Sequence, residues 1–226
     1  MVVICLVFTV VFSYLLGSLN SAIIVCRILK KADIRDYGSK NAGLTNVLRV
    51  FGKGPALATL ICDLAKGIIA VVVCRLVVTY GFDVLFFDND RFIGYIAGLS
   101  VMIGHIFPIF YGFHGGKGVL VAATTLIAID PLTCFFAVLI FAIVVAITKY
   151  VSVGSIVAAF SYPLFTILTQ TLRGISGAWQ NMLVGLVIAI LITYMHKPNI
   201  KRLREGTENK FSFKSSNLDN KDIDDE

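Results

Sequence analysis

The stretch Gly118 to Ile129, GVLVAATTLIAI, decides how the chain is threaded. It is apolar throughout, yet its twelve residues reach only about 18 Å as a helix, against roughly 30 Å of bilayer hydrocarbon. Asp130 and Pro131 separate it from the next apolar run, and GFHGGKG (Gly112 to Gly118) precedes it. Read as a short span it makes the helix count odd and puts the two chain ends on opposite sides of a membrane. Its shortness also suggests that the glycine-rich turn dips below headgroup level. That is tolerable if the turn's backbone is buried among helices or lines a wet cavity.

Outward from this stretch the chain is almost continuously apolar. Of 226 residues 57% are hydrophobic and only 15% charged, with a mean hydropathy of +0.85. That composition demands a lipid solvent and excludes a soluble domain. Apolar runs over residues 2 to 26, 55 to 80, 92 to 110, 118 to 130, 132 to 148, 152 to 170 and 179 to 195 predict an all-α integral membrane protein with seven transmembrane helices. The first run lacks a basic flank and a small-residue cleavage site, so it is expected to be retained. With the N-terminus outside and the C-terminus cytoplasmic, sixteen of the 20 Lys and Arg residues fall on the cytoplasmic side. Only Arg91 and Arg173 lie opposite, as the positive-inside rule requires. Residues 1 to 210 read as one domain, and 211 to 226 as a polar, disordered cytoplasmic tail. The five cysteines lie in or beside apolar runs without metal-ligand spacing, and no metal is expected. In the first run Ser13, Gly17, Asn20 and Ser21 form a small, polar stripe suited to packing against another helix.

The dense polar motifs all fall on one side of this topology, while the opposite loops are short or acidic and carry no comparable cluster. DIRDYGSKNAGLTNVLR (Asp33 to Arg49) is the longest polar segment among them. It crowds Ser39, Thr45, Asn41, Asn46, Arg35 and Arg49 around two glycines, a donor-rich set that suits a phosphate. In Gly115, Gly116, Lys117 and Gly118, unobstructed backbone N–H groups sit beside an ammonium and ahead of a helix N-terminus, which reads as a phosphate cradle. It is not a nucleotide P-loop, because Tyr111 and Gly118 occupy the required Gly and hydroxyl positions. Asp63 and Lys66, at i and i+3 within an apolar run, are expected to pair internally. His105 is expected to donate a hydrogen bond between helices. The spacing of His196 and Asn199 suits one edge of a helix exit; Pro198 between them disfavours the α conformation at Lys197 but is allowed in the first turn of a new helix.

Three blocks now stand together: DIRDYGSKNAGLTNVLRVFGK with the later DLAKG, GHIFPIFYGFHGGKGV, and HKPNIKRLREGTE. In that order they resemble the bacterial membrane acyl-phosphate:glycerol-3-phosphate acyltransferases, the PlsY family. The resemblance implies a seven-helix protein of the bacterial cytoplasmic (inner) membrane with its site facing the cytoplasm. It implies transfer of a fatty acyl group from acyl phosphate to the 1-hydroxyl of sn-glycerol 3-phosphate, giving lysophosphatidic acid and inorganic phosphate. It further implies no cofactor, a functional link to an acyl-phosphate synthase, membrane lipid as surroundings and no nucleic-acid partner. By position it assigns Ser39, Arg49, Lys117, His196 and Asn199 to the site, Ser152 to phosphate contact and Glu208 to structural support. This chain departs from the family pattern at Lys40, where Gly is usual, and at Pro198, where an acid is usual. Two other classes fit the residues alone: a phosphate-ester or anion transporter, and a lipid-scrambling or scaffold protein without a reaction.

Overall fold

The computed structural model describes residues 1–210, so the tail from 211 to 226 lies outside the described residues. The described chain is helical: α1 (Val2–Ser18), α2 (Ser21–Lys30), α3 (Leu44–Phe51), α4 (Lys53–Cys74), α5 (Phe92–Ile106), α6 (Val119–Ile129), α7 (Pro131–Thr148), α8 (Val151–Leu172), α9 (Ala178–Met195) and α10 (Lys197–Arg204). A π-helical segment, Arg75–Gly81, extends α4. Six helical segments are long and apolar enough to cross a membrane: Val2–Lys30, Lys53–Gly81, Phe92–Tyr111, α7, α8 and α9. α6 is a shorter apolar helix.

α5 is the hub, packed along α1 and against α4, α6 and α9, while α7, α8 and α9 form a second layer. Small residues explain why α1 lies so close. A Cβ on Gly17 would strike the backbone of Val101, and one on Gly104 the carbonyl of Tyr14. Lipid tails leave no hydrophobic drive between helices, so such close backbone packing supplies much of the association energy. Ser13 continues the same stripe, its Oγ 3.4 Å from the Cys74 Sγ on α4. The side chains of Tyr95, Val101, Met102 and Ile106 complete the buried centre with Val121, Leu126 and Ile188.

The first apolar run is broken, where the sequence suggested one continuous span. The Asn20 side chain accepts from the Ile23 N–H at 3.1 Å and caps α2. A carboxamide that satisfies an orphan helix donor starts a new helix rather than continuing the old one. The basic segment after it, expected as loop, also contains α3, whose apolar Val47 packs on Ile23, Cys26 and Ile34.

A buried polar cluster closes the end of the bundle opposite the GGKG turn, correcting the expectation that those loops carry none. Asp130, fully buried, accepts from Gln170 Nε2 at 2.9 Å and Arg173 at 2.5 Å, with Arg91 at 3.3 Å. Gln170 also donates to Tyr95 Oη at 2.8 Å and accepts from Asn181 at 2.8 Å. Burial raises the Asp130 carboxyl, but these hydrogen bonds and the Arg173 charge outweigh it and hold the group below the usual range. The cluster ties α5, α7, α8 and α9 together, and no sequence pattern announces it, because its members lie far apart along the chain.

Candidate active site

Three chain segments meet at the basic end of the bundle. The chain leaves α5, makes a 3-10 turn at Ile109–Tyr111 and folds back. The Gly115 and Gly116 N–H groups then donate to the carbonyls of Ile106 and His105, both at 3.1 Å. This seats the GGKG turn directly on the end of α5. Gly116 has no room for a side chain, since a Cβ would strike His105 Nε2 and sit 2.7 Å from the Ala42 carbonyl oxygen. Gly118, at φ +79°, takes a left-handed conformation that favours glycine and starts α6.

Lys117 projects from this turn to α10. Its Nζ donates to Asn199 Oδ1 at 2.5 Å, and Asn199 Nδ2 donates to Glu208 Oε1 at 2.7 Å. The same Oε1 accepts from Ser152 Oγ at 2.8 Å, while Oε2 accepts from Arg202 Nε at 2.7 Å. One carboxylate therefore joins the N-terminus of α8, the helix α10 and, through Asn199, the GGKG turn. Pro198 sits in the first turn of α10, where a missing N–H is harmless, and Asn199 is brought inward one residue later.

The electrostatics favour an anion. Burial pushes the Lys117 ammonium down to about 8; the Glu208 charge opposes this, and Arg202 and Arg49 push it further down. Burial raises the Glu208 carboxyl, yet hydrogen bonds from Asn199, Ser152 and Arg202 outweigh it and hold it below the usual range. Arg202, Arg49 and one carboxylate, Glu208, thus act on Lys117, leaving positive charge uncompensated around it. His196 is buried at the end of α9, its Nδ1 2.7 Å from the Ile192 carbonyl. Burial lowers it to about 4, so the ring is neutral at pH 7, with Nδ1–H on the carbonyl and Nε2 as an acceptor.

The first block forms a shelf beside the turn. Asn46 is buried and spent on its own loop: Nδ2 faces the carbonyls of Ile34, Tyr37 and Asn41 at 3.0 to 3.3 Å, and Oδ1 accepts from the Ser39 N–H at 2.9 Å. It therefore positions Ser39, where the sequence put it among the phosphate contacts. Ser39, Thr45 and Arg49 are exposed on the shelf, and Asn41 is half-buried. Arg35 anchors the shelf to the turn, donating from Nη1 to the Tyr111 carbonyl at 2.8 Å while pairing with Asp33 at 2.8 Å. Its hydrogen bonds to Asp33 hold that carboxyl well below the usual range, against a smaller effect of burial.

Beneath the turn, Lys66 Nζ lies 2.7 Å from Asp63 Oδ1 and 2.9 Å from His105 Nδ1. Lys66 donates to His105, so the imidazole receives a hydrogen bond at Nδ1, the reverse of the donor role read from the sequence. That leaves the Nε2 hydrogen facing Gly116. The trio joins α4 to α5 and supports the turn from below. Arg35, read from sequence among the anion-binding donors, is instead spent on Asp33 and the Tyr111 carbonyl, and Arg202 was not singled out as a site residue from sequence. Arg202 is indistinguishable there from its basic neighbours, and only its partner Glu208, six residues on, gives it a place.

A family model described as glycerol-3-phosphate acyltransferase matches residues 7–206. The glycerol-3-phosphate acyltransferase of Chlorobaculum parvum is 39% identical over 218 residues, covering 89% of this chain and 94% of its own. That of Halalkalibacterium halodurans is 40% identical over 210 residues, covering 91% and 95%. Crystal structures of PlsY, an integral membrane glycerol 3-phosphate acyltransferase, superpose with TM-scores of 0.76 for the glycerol 3-phosphate form and 0.75 for the lysophosphatidic acid form. Both are 32% identical to this chain and cover 92% of it, and the match takes in 96% and 95% of their own chains.

Proposed function

We propose, from the premise that this chain belongs to the glycerol-3-phosphate acyltransferase (PlsY) family, that it transfers a fatty acyl group from acyl phosphate to the 1-hydroxyl of sn-glycerol 3-phosphate. The products are lysophosphatidic acid and inorganic phosphate, the first acylation of phospholipid synthesis. The observation that carries this reading is the chain of hydrogen bonds from Lys117 through Asn199 to Glu208, Ser152 and Arg202, which joins the second and third motif blocks and the start of α8 into one cationic cluster.

An acyl phosphate is a mixed anhydride and already activated, so the protein has to position two phosphates, neutralise them and stabilise the oxyanion. Lys117, Arg49 and Asn199 hold phosphate oxygens, with Ser39, Thr45 and Asn41 donating at the edges, while Ser152, expected from the family pattern to contact phosphate, gives its one hydroxyl hydrogen to Glu208. The N–H groups of Gly115 and Gly116 are tied to α5, so the turn serves chiefly to present Lys117 and the start of α6. In the reaction the glycerol oxygen bonds to the acyl carbon and the bond from that carbon to the phosphate oxygen breaks. The hydroxyl proton passes to a substrate phosphate oxygen. His196, neutral and held by Ile192, offers Nε2 as a second acceptor for the same proton. Neither a cofactor nor a metal enters this scheme.

The membrane placement follows the charge pattern: N-terminus outside, C-terminus cytoplasmic, with α6 as a seventh, short span and the site facing the cytoplasm of the bacterial inner membrane. The donor implies a functional link to an acyl-phosphate synthase. Purified protein in phosphatidylcholine vesicles, given labelled glycerol 3-phosphate and acyl phosphate, acyl-coenzyme A or acyl carrier protein in turn, separates the donors. Labelled lysophosphatidate should form from acyl phosphate alone, without ATP. Equal product from acyl-coenzyme A would overturn the donor assignment.

A further inference from the structure

α10 has two faces, and the site uses only one. At about 100° per residue, Asn199 lies on the side facing Lys117 and Glu208. Lys197, Lys201 and Arg204, at i, i+4 and i+7, line the opposite side, and all three are exposed. With Ile200 and Glu205 they border an open depression of about 410 Å³. Lys201 reaches Glu205 only at 3.9 Å, and Lys197 Nζ stands 3.9 Å above the Tyr194 ring. Three cations against one carboxylate leave this face strongly positive.

Its position says what it meets. α10 begins two residues after Met195, the last residue of the apolar helix α9. The end of an apolar spanning helix lies at the phosphate layer of a bilayer, where exposed tyrosines such as Tyr194 are also found. Ile200 gives the depression an apolar floor between the cations, the composition of an interfacial amphipathic helix. A free anion would find too open a surface here, whereas a lipid headgroup is held in place by its own tails.

We propose that the Lys197, Lys201 and Arg204 face of α10 is a seat for the phosphate headgroups of anionic phospholipids in the surrounding membrane. The proposal does not depend on the acyl-transfer reading, because binding is read without turnover. Basic residues near an anionic membrane each contribute about fivefold to partition. The loose pairing of Lys201 with Glu205 lowers the sum, so a preference of about tenfold for anionic lipid is expected.

The test uses the full chain in mild detergent with mixed phosphatidylglycerol and phosphatidylcholine, with retained lipids counted by native mass spectrometry. The unaltered protein should retain phosphatidylglycerol about tenfold over phosphatidylcholine, and rising salt should erase the preference. Replacing Lys197→Gln, Lys201→Gln and Arg204→Gln together should remove it, Lys197→Arg with Lys201→Arg should keep it, and inorganic phosphate should displace the lipid no more than sodium chloride of equal ionic strength does. The Gln variant should match the unaltered protein in thermal unfolding and in rate in phosphatidylcholine vesicles. No lipid preference in the unaltered protein, an undiminished preference in a folded Gln variant, or displacement by inorganic phosphate beyond that by sodium chloride of equal ionic strength would each overturn the proposal.

Discussion

Lys40 has a φ of +58°, a backbone conformation in which a Cβ meets the following carbonyl and only glycine is at ease. Its charge, the feature visible in the sequence, matters less than this geometry. Lys40→Gly should relieve the strain and raise stability by up to about 1 kcal/mol, partly offset by the greater freedom of glycine in the unfolded chain. Thermal unfolding in detergent checks this; a fall in stability would show that the lysine side chain has a contact of its own. Lys117 is the second residue whose behaviour follows from its surroundings. With burial lowering its pKa to about 8, the ammonium is charged at pH 7 and discharges above pH 8. kcat/KM for glycerol 3-phosphate should therefore fall about tenfold per pH unit beyond pH 8. The profile of kcat should break at higher pH, because a bound phosphate dianion holds the proton on. Lys117→Arg, whose guanidinium does not titrate in this range, should remove the break whatever its absolute rate. A break that persists in that variant would assign it to another group.

At the scale of elements, α10 is held in register by a single carboxylate. Glu208 accepts from Ser152, Asn199 and Arg202, and hydrogen bonds to a charged group are each worth about 1.5 to 3 kcal/mol. Glu208→Gln keeps the shape but turns one acceptor into a donor facing other donors. KM for glycerol 3-phosphate should rise about 10- to 100-fold with kcat changed less, because the residue holds Asn199 rather than touching the reacting atoms. A change confined to kcat would place Glu208 in the chemical step instead. The sequence showed the α10 block and its Pro198 constraint, since a proline fits a first helical turn and little else. It did not show the break at Asn20, because a carboxamide inside an apolar run reads equally as a packing residue and as a cap. Nor did it show the role of Asn46, whose four bonds are to backbone atoms that only the folded loop brings within reach.

For the whole molecule, the apolar runs were legible because lipid imposes length and composition on every crossing helix. The Asp130 cluster was not, because Arg91, Asp130, Arg173, Gln170 and Asn181 converge from the ends of α5, α7, α8 and α9, and read singly the three charges look like ordinary loop charges and the two amides like packing residues. The threading proposed here can be tested on its own. A single cysteine at Asn209, in a variant without native thiols, should react with an impermeant maleimide only from the cytoplasmic side, and one at Asp88 only from the outside. Reaction of both from one side would remove α6 as a seventh span. The central claim is that the GGKG turn and α10 form one phosphate site for glycerol 3-phosphate. Calorimetric titration of glycerol 3-phosphate into the unaltered protein, Lys117→Ala, Asn199→Ala and the double variant measures it most directly. If the two residues act as a unit, each single change should weaken binding about 100-fold or more, and the double variant should be little worse than the poorer single. Fully additive losses, or unaltered affinity in either single variant, would contradict it.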